Sequence, residues 1–199
     1  MVLRPVPDPP FRPAETDREQ ALVELVDRTG RPVGVATAAQ AHAPPGRRHR
    51  AFSVLLITPD RQRLLLQRRA ASKTRFPLRW GNACCGHPAP GEPVTLAAAR
   101  RLADELRLTG VALTELGIWC YRADDPETGS VEHEYDHVLL GELRPEQPLD
   151  PDPGEVAGLR WVDPSELADL LTNRPEACAP WLAGVVRSLV DAAGQRWRR

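Results

Sequence analysis

The feature that most constrains this 199-residue chain is the segment of residues 80–88, Trp-Gly-Asn-Ala-Cys-Cys-Gly-His-Pro, which places the thiol of Cys85 two residues before the imidazole of His87. A Gly-x5-Glu-x7-Arg pattern starts within this segment at Gly86, and apolar residues then recur at helical spacing. The pattern predicts a functional loop followed by a helix over residues 92–106. Because nearby positive charge favours a thiolate over a thiol, Cys85 is a candidate general base at neutral pH.

Two carboxylates and two further histidines form the second half of the candidate site. Glu132 and Glu134 stand at positions i and i+2 of an apolar, alternating run, so a strand would point both side chains to one face. His42 and His49 lie seven residues apart, just before a long apolar run. Together with His87, these three imidazoles and two carboxylates can enclose one divalent ion.

Composition limits the class of protein and its setting. The chain carries a net charge of -1, which argues against a general role in binding nucleic acid. Its four cysteines show no spaced framework, and Cys84 and Cys85 are adjacent, so reduced thiols and a cytoplasmic location are expected. Several prolines and no long apolar stretch in residues 1–13 argue against a secretory signal or a membrane anchor. We expect a flexible tail over residues 1–18 and a single domain over residues 19–199.

Hydrophobic periodicity predicts a series of strands with interspersed helices. The predicted strands are residues 21–26 and 32–36, which form a first hairpin, 51–58 and 63–67, which form a second, and 111–122, 131–143 and 159–162. Asp163 followed by Pro164 signals the start of a helix, and a last helix is predicted over residues 180–193. This order indicates an α+β fold, or α/β sandwich, in which a mixed sheet lies between helices.

Several separated motifs follow one another along the chain. They are the pair His42 and His49, Arg68-Arg69-Ala70-Ala71-Ser72-Lys73, Cys85-Gly86-His87-Pro88, Tyr121-Arg122-Ala123, Glu132-x-Glu134 and Pro180-Trp181. In this order they resemble the motifs of type I isopentenyl-diphosphate delta-isomerases, which are members of the Nudix superfamily. The resemblance covers nearly the whole chain, and it implies a Nudix-type mixed β-sheet flanked by helices, with an additional N-terminal β-hairpin.

The resemblance implies an enzyme that interconverts isopentenyl diphosphate and dimethylallyl diphosphate in isoprenoid biosynthesis. The expected partner is a small prenyl diphosphate, with no nucleic acid and no membrane. By the same resemblance, Glu134 with Tyr121 delivers a proton to the terminal methylene, and Cys85 removes another from the allylic carbon on the opposite face. Trp181 would face the carbocation that forms between these steps.

The resemblance also implies two metal sites and an anion site. One divalent ion, which is Mn²⁺, Mg²⁺ or Zn²⁺, is expected at a site whose implied ligands are His42, His49, His87, Glu132 and Glu134, with Cys85 also counted among the metal-binding residues. Glu105 would share a Mg²⁺ with the bound diphosphate. Arg69, Lys73 and Arg101 would anchor the diphosphate.

The predicted helix departs from the Nudix hydrolases, which use its glutamates to hold metal and activate water. Arg101 stands where a hydrolase has glutamate, the pair Asp104-Glu105 replaces two glutamates, and Arg107 replaces glycine. A cation at position 101 disfavours water activation and suits a helix that binds a diphosphate without cleaving it. A Nudix pyrophosphohydrolase and a catalytically silent diphosphate-binding module are the alternative functions.

The chain also departs from the isomerases at one position. They usually carry a lysine that contacts the diphosphate, four residues before the first metal histidine, and this chain has Ala38 there. The hypothesis is that Arg47 or Arg48 compensates for the missing ammonium group.

Several residues near the site have a structural interpretation. Cys84 is predicted to pack inward, as free cysteines usually do, and His133 and His137 are predicted to face away from the ligand set. Tyr121 and Trp181 are of types that are often buried for packing alone. Their catalytic assignment depends on the motif order rather than on either residue by itself.

Overall fold

The computed structural model of the protein describes residues 15–193. Within this range nine strands join in one mixed sheet, accompanied by five α-helices. The strands are β1 (Leu22–Val26), β2 (Pro32–Thr37), β3 (His49–Ile57), β4 (Leu64–Arg69), β5 (Trp80–Gly81), β6 (Cys84–Gly86), β7 (Thr114–Asp124), β8 (Val131–Glu142) and β9 (Val156–Val162). The helices are α1 (Glu15–Gln20), α2 (Ala38–His42), α3 (Val94–Leu106), α4 (Pro164–Asn173) and α5 (Leu182–Ala193), with a short 3-10 helix at Pro175–Ala177. None of the helices within this range is long and apolar enough to cross a lipid bilayer.

The pairing of β3 determines where the site forms. Strand β8 runs parallel to β3 along its whole length, in a register that sets His49 opposite Glu134. Strand β7 pairs antiparallel with β8 and sets Tyr121 opposite Glu134, while β6 sets Cys85 opposite Ser53 of β3. Residues from four separate parts of the chain therefore meet at one end of the sheet.

Alternate residues of β3 face two different layers of the core, because successive side chains of a strand point to opposite faces. Phe52, Val54 and Leu56 pack in a cluster with the apolar side of α3. Leu55 and Ile57 pack in a second cluster with residues of α4 and α5. The sheet therefore lies between helices, and the predicted α+β class is confirmed.

The predictions that depend on contacts between residues close in sequence, such as a hairpin or a helix cap, are confirmed. The first hairpin forms between β1 and β2, and α4 begins as predicted, with the side chain of Asp163 accepting hydrogen bonds from the backbone N–H groups of Ser165 and Glu166. The second hairpin also forms, with β3 and β4 antiparallel on either side of the turn at residues 58–63, but its pairing is short. Strands β3 and β4 form, but only Ile57 and Leu64 pair between them, because β8 and β6 pair with β3 while β9 and β5 pair with β4.

Two short helices, α1 and α2, are not predicted from the sequence. Helix α2 begins with a capping box, in which the Thr37 hydroxyl accepts from the Gln40 N–H and the Gln40 side chain accepts from the Thr37 N–H. Residues 15–18 of the predicted tail belong to α1. Residues 1–14 lie outside the described residues, so the flexible tail stays a prediction.

Gly184 of α5 packs directly against the indole of Trp119. A Cβ atom at Gly184 would lie 1.9 Å from Cε2 of Trp119, far inside van der Waals contact. We expect Gly184→Ala to lower the free energy of unfolding by about 1–3 kcal/mol through overpacking, measured by urea denaturation. Gly158→Ala in β9 is the matched control, since no atom lies within 4 Å of a Cβ there, and it should not destabilise the protein. Equal stability of both variants would contradict the packing argument.

Candidate active site

Five side chains that the sequence predicts as metal ligands come together in the structure. His49 begins β3, and Glu132 and Glu134 lie near the start of β8, so the parallel pairing of these strands brings them side by side. His42 ends α2, and His87 directly follows β6. The ligand atoms of the five residues all lie within 4.8 Å of one another. We call these residues the His/Glu cluster.

Backbone carbonyls orient two of the imidazoles. The Nδ1–H of His42 donates to the carbonyl oxygen of Ala38 at 2.7 Å, and that of His49 donates to the carbonyl oxygen of Arg47 at 2.8 Å. In a neutral imidazole this leaves Nε2 as an acceptor that points into the His/Glu cluster. Nε2 of His42 lies 2.9 Å from Oε2 of Glu132. Burial opposes protonation of His42, but the charge and hydrogen bond of Glu132 outweigh burial and raise its pKa, so a proton or a metal ion is held between these two atoms. A divalent cation satisfies both, and the donor set therefore fits such an ion.

Glu134 is the member of the His/Glu cluster that also contacts Tyr121. Burial opposes ionisation of Glu134, but hydrogen bonds with His49 and His87 outweigh burial and hold its pKa well below the usual range. Burial lowers the pKa of His87 to about 4, so its imidazole is neutral. Burial and the charge of Glu134 raise the pKa of Tyr121 well above its usual range, and its hydroxyl donates to Oε2 of Glu134 at 2.7 Å.

Cys85 is half-buried on β6, beside the guanidinium of Arg69. Nη1 of Arg69 lies 3.8 Å from Sγ of Cys85. Burial nevertheless raises the pKa of the Cys85 thiol to about 11, because the loss of solvation outweighs the nearby positive charge. The expected resting thiolate is therefore wrong for the free enzyme, where the thiol is protonated. The thiol also lies outside the His/Glu cluster, although Cys85 is counted in the predicted metal-binding set.

One cavity connects the predicted catalytic groups with the predicted diphosphate ligands. The residues that line it include Cys85, His87, Glu132, Glu134, Tyr121, Trp181, Arg69, Lys73 and Arg101. Burial lowers the pKa of Lys73 to about 8, and its side chain is only 11% exposed. The cavity thus has a catalytic part near Cys85 and Glu134 and a cationic part near Lys73 and Arg101.

Glu105 of α3, the predicted ligand for a diphosphate-bound Mg²⁺, is 2% exposed and lies behind the cationic part of the cavity, next to Arg101 rather than among the lining residues. One carboxylate oxygen accepts from Nε2 of Gln67 at 3.0 Å, and the other pairs with Arg101 of the preceding helical turn. Burial opposes its ionisation, but Arg101 and Lys73 outweigh burial and lower the pKa of Glu105. The carboxylate is thus ionised and held in place, which suits an oxygen ligand for Mg²⁺.

Trp181 lies at the wall of the cavity and is 3% exposed. Its indole N–H donates to Oδ1 of Asn82 at 3.0 Å, which fixes the plane of the ring. The guanidinium carbon of Arg69 lies 5.2 Å from the centre of the ring, and the ring of Tyr121 lies 6.1 Å away. The ring of Trp181 is therefore a rigid aromatic surface next to the hydrogen-bonded pair of Tyr121 and Glu134.

Sequence reasoning missed one buried acid and two cations of the cavity. Glu155, 3% exposed, pairs with Lys73 and lies 3.3 Å from Nη2 of Arg101. Arg18 and Arg75 line the cavity as well. No sequence signal distinguishes Glu155 from other acids, because it lies in a proline-rich acidic loop and reaches the site only through the fold.

The proposed compensation for Ala38 also needs correction. Ala38 lines the cavity, as the resemblance requires, but Arg47 and Arg48 are not among the lining residues. Arg47 follows α2 and contributes only its carbonyl oxygen, which accepts from His49. The cations nearest to this side of the cavity come instead from Arg18 and Arg75.

The residues predicted to be structural are found in structural positions. Cys84 is fully buried in the core cluster beside α3. His133 contacts the carbonyl oxygen of Gly46 at 3.2 Å, and His137 contacts Oε1 of Glu115 at 2.8 Å. Neither histidine belongs to the His/Glu cluster.

Comparison with known proteins defines the class first. Residues 47–182 match the NUDIX domain family, which agrees with the mixed sheet and with α3 at the cavity wall. A solved structure from Deinococcus radiodurans superimposes with a TM-score of 0.65 at 20% sequence identity, covering 84% of this chain and 98% of that one. At this identity the likeness concerns the fold alone. The protein has the Nudix fold.

Curated relatives then define the family more narrowly. The isopentenyl-diphosphate Delta-isomerase of Nocardia farcinica is 58% identical over 173 residues, which cover 86% of this chain and 95% of that protein. The isopentenyl-diphosphate Delta-isomerase of Streptomyces coelicolor is 49% identical over 151 residues, 76% of this chain and 75% of that protein. The chain belongs to the isopentenyl-diphosphate Delta-isomerase family, a family of enzymes with the Nudix fold.

Proposed function

We propose that the protein interconverts isopentenyl diphosphate and dimethylallyl diphosphate by adding one proton and removing another on opposite faces of the hydrocarbon chain. The observation that carries the proposal is the single cavity shared by Cys85, Tyr121 and Glu134, which continues to the cations Lys73 and Arg101. Protonation of an alkene requires a positioned acid, a positioned base and shelter from water. The proton-transfer groups in one part of the cavity match the hydrocarbon end of a prenyl diphosphate, and the cations in the other part match its diphosphate end.

Glu134 and Tyr121 form the acid side of the proposed reaction. Glu134 is ionised in the free enzyme, so its Oε2, which lies 2.7 Å from the Tyr121 hydroxyl, takes up a proton before the forward reaction and then gives it to the terminal methylene. The Tyr121 hydroxyl donates a hydrogen bond to Glu134 and stabilises the carboxylate that remains after the proton has left. The high pKa of Tyr121 keeps this hydroxyl protonated before each turnover.

Cys85 is the base in one direction and the acid in the other. Towards dimethylallyl diphosphate its thiolate takes the allylic proton, and in reverse its thiol returns a proton to the same carbon. The pKa of about 11 gives the free enzyme the thiol that the reverse direction uses. For the forward direction the thiol first gives up its proton to solvent and the Glu134 carboxylate takes one up, so that the number of protons in the site is unchanged. The resulting thiolate lies beside Arg69, whose guanidinium is 3.8 Å away and stabilises the negative charge.

Trp181 and the closed wall of the cavity protect the carbocation between the two proton transfers. The ring is held by Asn82 and packs edge-to-face against Phe76 at 5.7 Å between ring centres. A desolvated aromatic face stabilises a nearby cation by about 2 kcal/mol. Since Trp181 is 3% exposed, little water reaches that face.

The His/Glu cluster would hold one divalent ion, Mn²⁺, Mg²⁺ or Zn²⁺, through His42, His49, His87, Glu132 and Glu134. When bound, the ion supplies a positive charge that orients the Glu134 carboxyl and makes it a stronger acid. Glu105 would hold a Mg²⁺ together with the diphosphate. Arg69, Lys73 and Arg101 bind the diphosphate oxygens through charge-assisted hydrogen bonds.

A cytoplasmic location is part of the proposal. The four cysteines Cys84, Cys85, Cys120 and Cys178 are free thiols in the described part of the chain, and a base such as Cys85 must stay reduced. A reducing compartment preserves it.

Proton exchange in heavy water tests the proposed function. The protein is incubated with isopentenyl diphosphate and Mg²⁺ in heavy water, and the hydrocarbon and phosphate products are followed by NMR. We expect deuterium in dimethylallyl diphosphate and no release of phosphate. Release of phosphate without isomerisation would identify a pyrophosphohydrolase, and unchanged substrate would identify a silent binding module.

Loss of one imidazole from the His/Glu cluster tests the metal assignment. We expect His42→Ala to weaken binding of the divalent ion by about 10-fold or more, because one of the five ligands is lost, and to lower turnover in parallel. Metal content after dialysis and titration with Mn²⁺, Mg²⁺ and Zn²⁺ measure the affinity and identify the preferred ion. His137→Ala is the matched control, because His137 contacts Glu115 outside the cluster. Equal metal content in the two variants would contradict the assignment.

A further inference from the structure

Helix α1 crosses next to the cavity and is fixed there by several contacts. The Ala21 N–H donates to the carbonyl oxygen of Arg18 at 3.1 Å, and the Ala38 N–H donates to that of Ala21 at 2.8 Å. The Glu19 carboxylate accepts from Nη1 of Arg75 at 2.7 Å and from the Thr74 hydroxyl at 3.0 Å. The end of α1 is therefore tied to α2 on one side and to the loop after β4 on the other.

This arrangement directs Arg18 to the cationic part of the cavity. Its guanidinium pairs with Glu155, the carboxylate that also pairs with Lys73 and contacts Arg101. Three positively charged groups thus converge on one buried carboxylate. Because Lys73 and Arg101 are proposed diphosphate ligands, a group that shares their carboxylate lies within reach of the same diphosphate.

The charges of this region leave a net requirement for an anion. Arg18, Lys73 and Arg101 face the carboxylates of Glu105 and Glu155, which are 2% and 3% exposed. Arg69 adds a further cation to the same cavity. Positive charge that is shielded from water is costly unless it is paired. A diphosphate carries more than one negative charge, so it neutralises these cations better than a single additional carboxylate would.

The wall beside α1 carries Arg75 as well as Arg18. Ala38, which lines this side, is 3% exposed and has only a methyl group. The side chain of Arg18 is 26% exposed and lines the cavity, so a ligand in the cavity can contact its guanidinium. Arg75, the other cation on this side, is bound to Glu19 and lies 3.4 Å from Glu132.

We propose that Arg18 is a fourth diphosphate-binding cation, which α1 brings to the cavity and which the motifs of the family do not include. The inference rests on the proposed function for the nature of the substrate. Glu19 is a positioning residue in this scheme, because it ties α1 to Arg75 without contacting the diphosphate. Glu155 holds the cations in place until the diphosphate binds.

The test measures binding of inorganic pyrophosphate with Mg²⁺ to the full chain by calorimetry, together with KM and kcat for isopentenyl diphosphate. We expect Arg18→Gln to raise the Kd for pyrophosphate and the KM about 10-fold, with a smaller change in kcat, because a charged hydrogen-bond donor is lost. Arg18→Lys should recover part of the affinity. Arg28→Gln is the matched control, since Arg28 is exposed in the turn between β1 and β2. Its Kd should equal that of the wild type.

Glu19→Gln separates a ligand contact from a purely structural role of α1. This variant loosens the helix but keeps the charge of Arg18, so its Kd for pyrophosphate should rise less than that of Arg18→Gln. A Kd for Arg18→Gln within twofold of wild type would overturn the inference, and so would an equal rise in both variants. Pyrophosphate binding does not require isomerisation, so the two proposals can fail separately. A wild type that binds pyrophosphate but does not isomerise isopentenyl diphosphate would contradict the proposed function. The Kd values for pyrophosphate would still test the role of Arg18.

Discussion

Replacement of Cys85 by alanine should reduce isomerisation in both directions by about 10²–10⁴-fold, the usual contribution of a positioned acid or base. The reason is geometric. Cys85 and Glu134 lie in the same cavity, and the expected reaction needs a proton acceptor on the face of the substrate opposite to the acid. Within the described cavity, the residues near Arg69 include no second thiol or imidazole that can take over this role, since His87 belongs to the His/Glu cluster.

Rates for Cys85→Ala are best measured in both directions, with isopentenyl diphosphate and with dimethylallyl diphosphate as substrate. Cys120→Ala is the matched control, because Cys120 is an exposed thiol on β7 outside the cavity. The affinity for pyrophosphate should be unchanged in Cys85→Ala, which shows that the fold and the cationic part are intact. Turnover within 10-fold of wild type would remove Cys85 from the mechanism.

The composition of the His/Glu cluster was accessible from sequence because its residue types have few other uses together. Three imidazoles, together with two carboxylates that are spaced to share one face of a strand, indicate a cation site. The order of the motifs along the chain resembles that of one family. The spatial arrangement was not accessible. It depends on the parallel pairing of β3 with β8, which sets His49 opposite Glu134 across 85 positions of the chain. No local pattern specifies such a pairing.

The protonation state of Cys85 shows a different limit of sequence reasoning. The sequence places arginines and a lysine near the thiol, and positive charge alone favours a thiolate. The fold surrounds the half-buried thiol with protein on β6, and desolvation is the larger effect, so the thiol pKa rises to about 11. Burial depends on how β6 packs against β3 and α3, which the residues 80–88 do not reveal by themselves.

Arg18 and Glu155 could not be assigned from sequence because their roles arise from contacts between distant segments. Arg18 lies in a charged stretch near the start of the chain, and Glu155 lies in a proline-rich loop before β9. Each looks like an ordinary surface charge. Only the fold places both beside Lys73, where an ion pair network forms around a cavity.

Glu134→Gln tests the acid side and should have an effect as large as that of Cys85→Ala, about 10²–10⁴-fold or more on turnover. The amide keeps the shape of the side chain but cannot carry the proton that Oε2 is proposed to transfer. It also removes a negative charge from the His/Glu cluster, so the divalent ion should bind less tightly. The thermal midpoint of the metal-free protein should fall as well, because the low pKa of Glu134 means that its ionised form stabilises the fold, even though the repulsion between Glu132 and Glu134 is relieved.

Two companion variants separate proton transfer from metal binding at this position. Tyr121→Phe removes only the hydroxyl that donates to Glu134 at 2.7 Å, so it should lower turnover while the metal content stays at the wild-type level. Glu132→Gln alters a cluster ligand that has no contact with Tyr121 among the described hydrogen bonds, so its turnover should recover when the ion is supplied in excess. Glu134→Gln should stay inactive at any ion concentration. If saturating Mn²⁺, Mg²⁺ or Zn²⁺ restored its turnover, Glu134 would serve only to bind the ion, and the proton would have to come from another group.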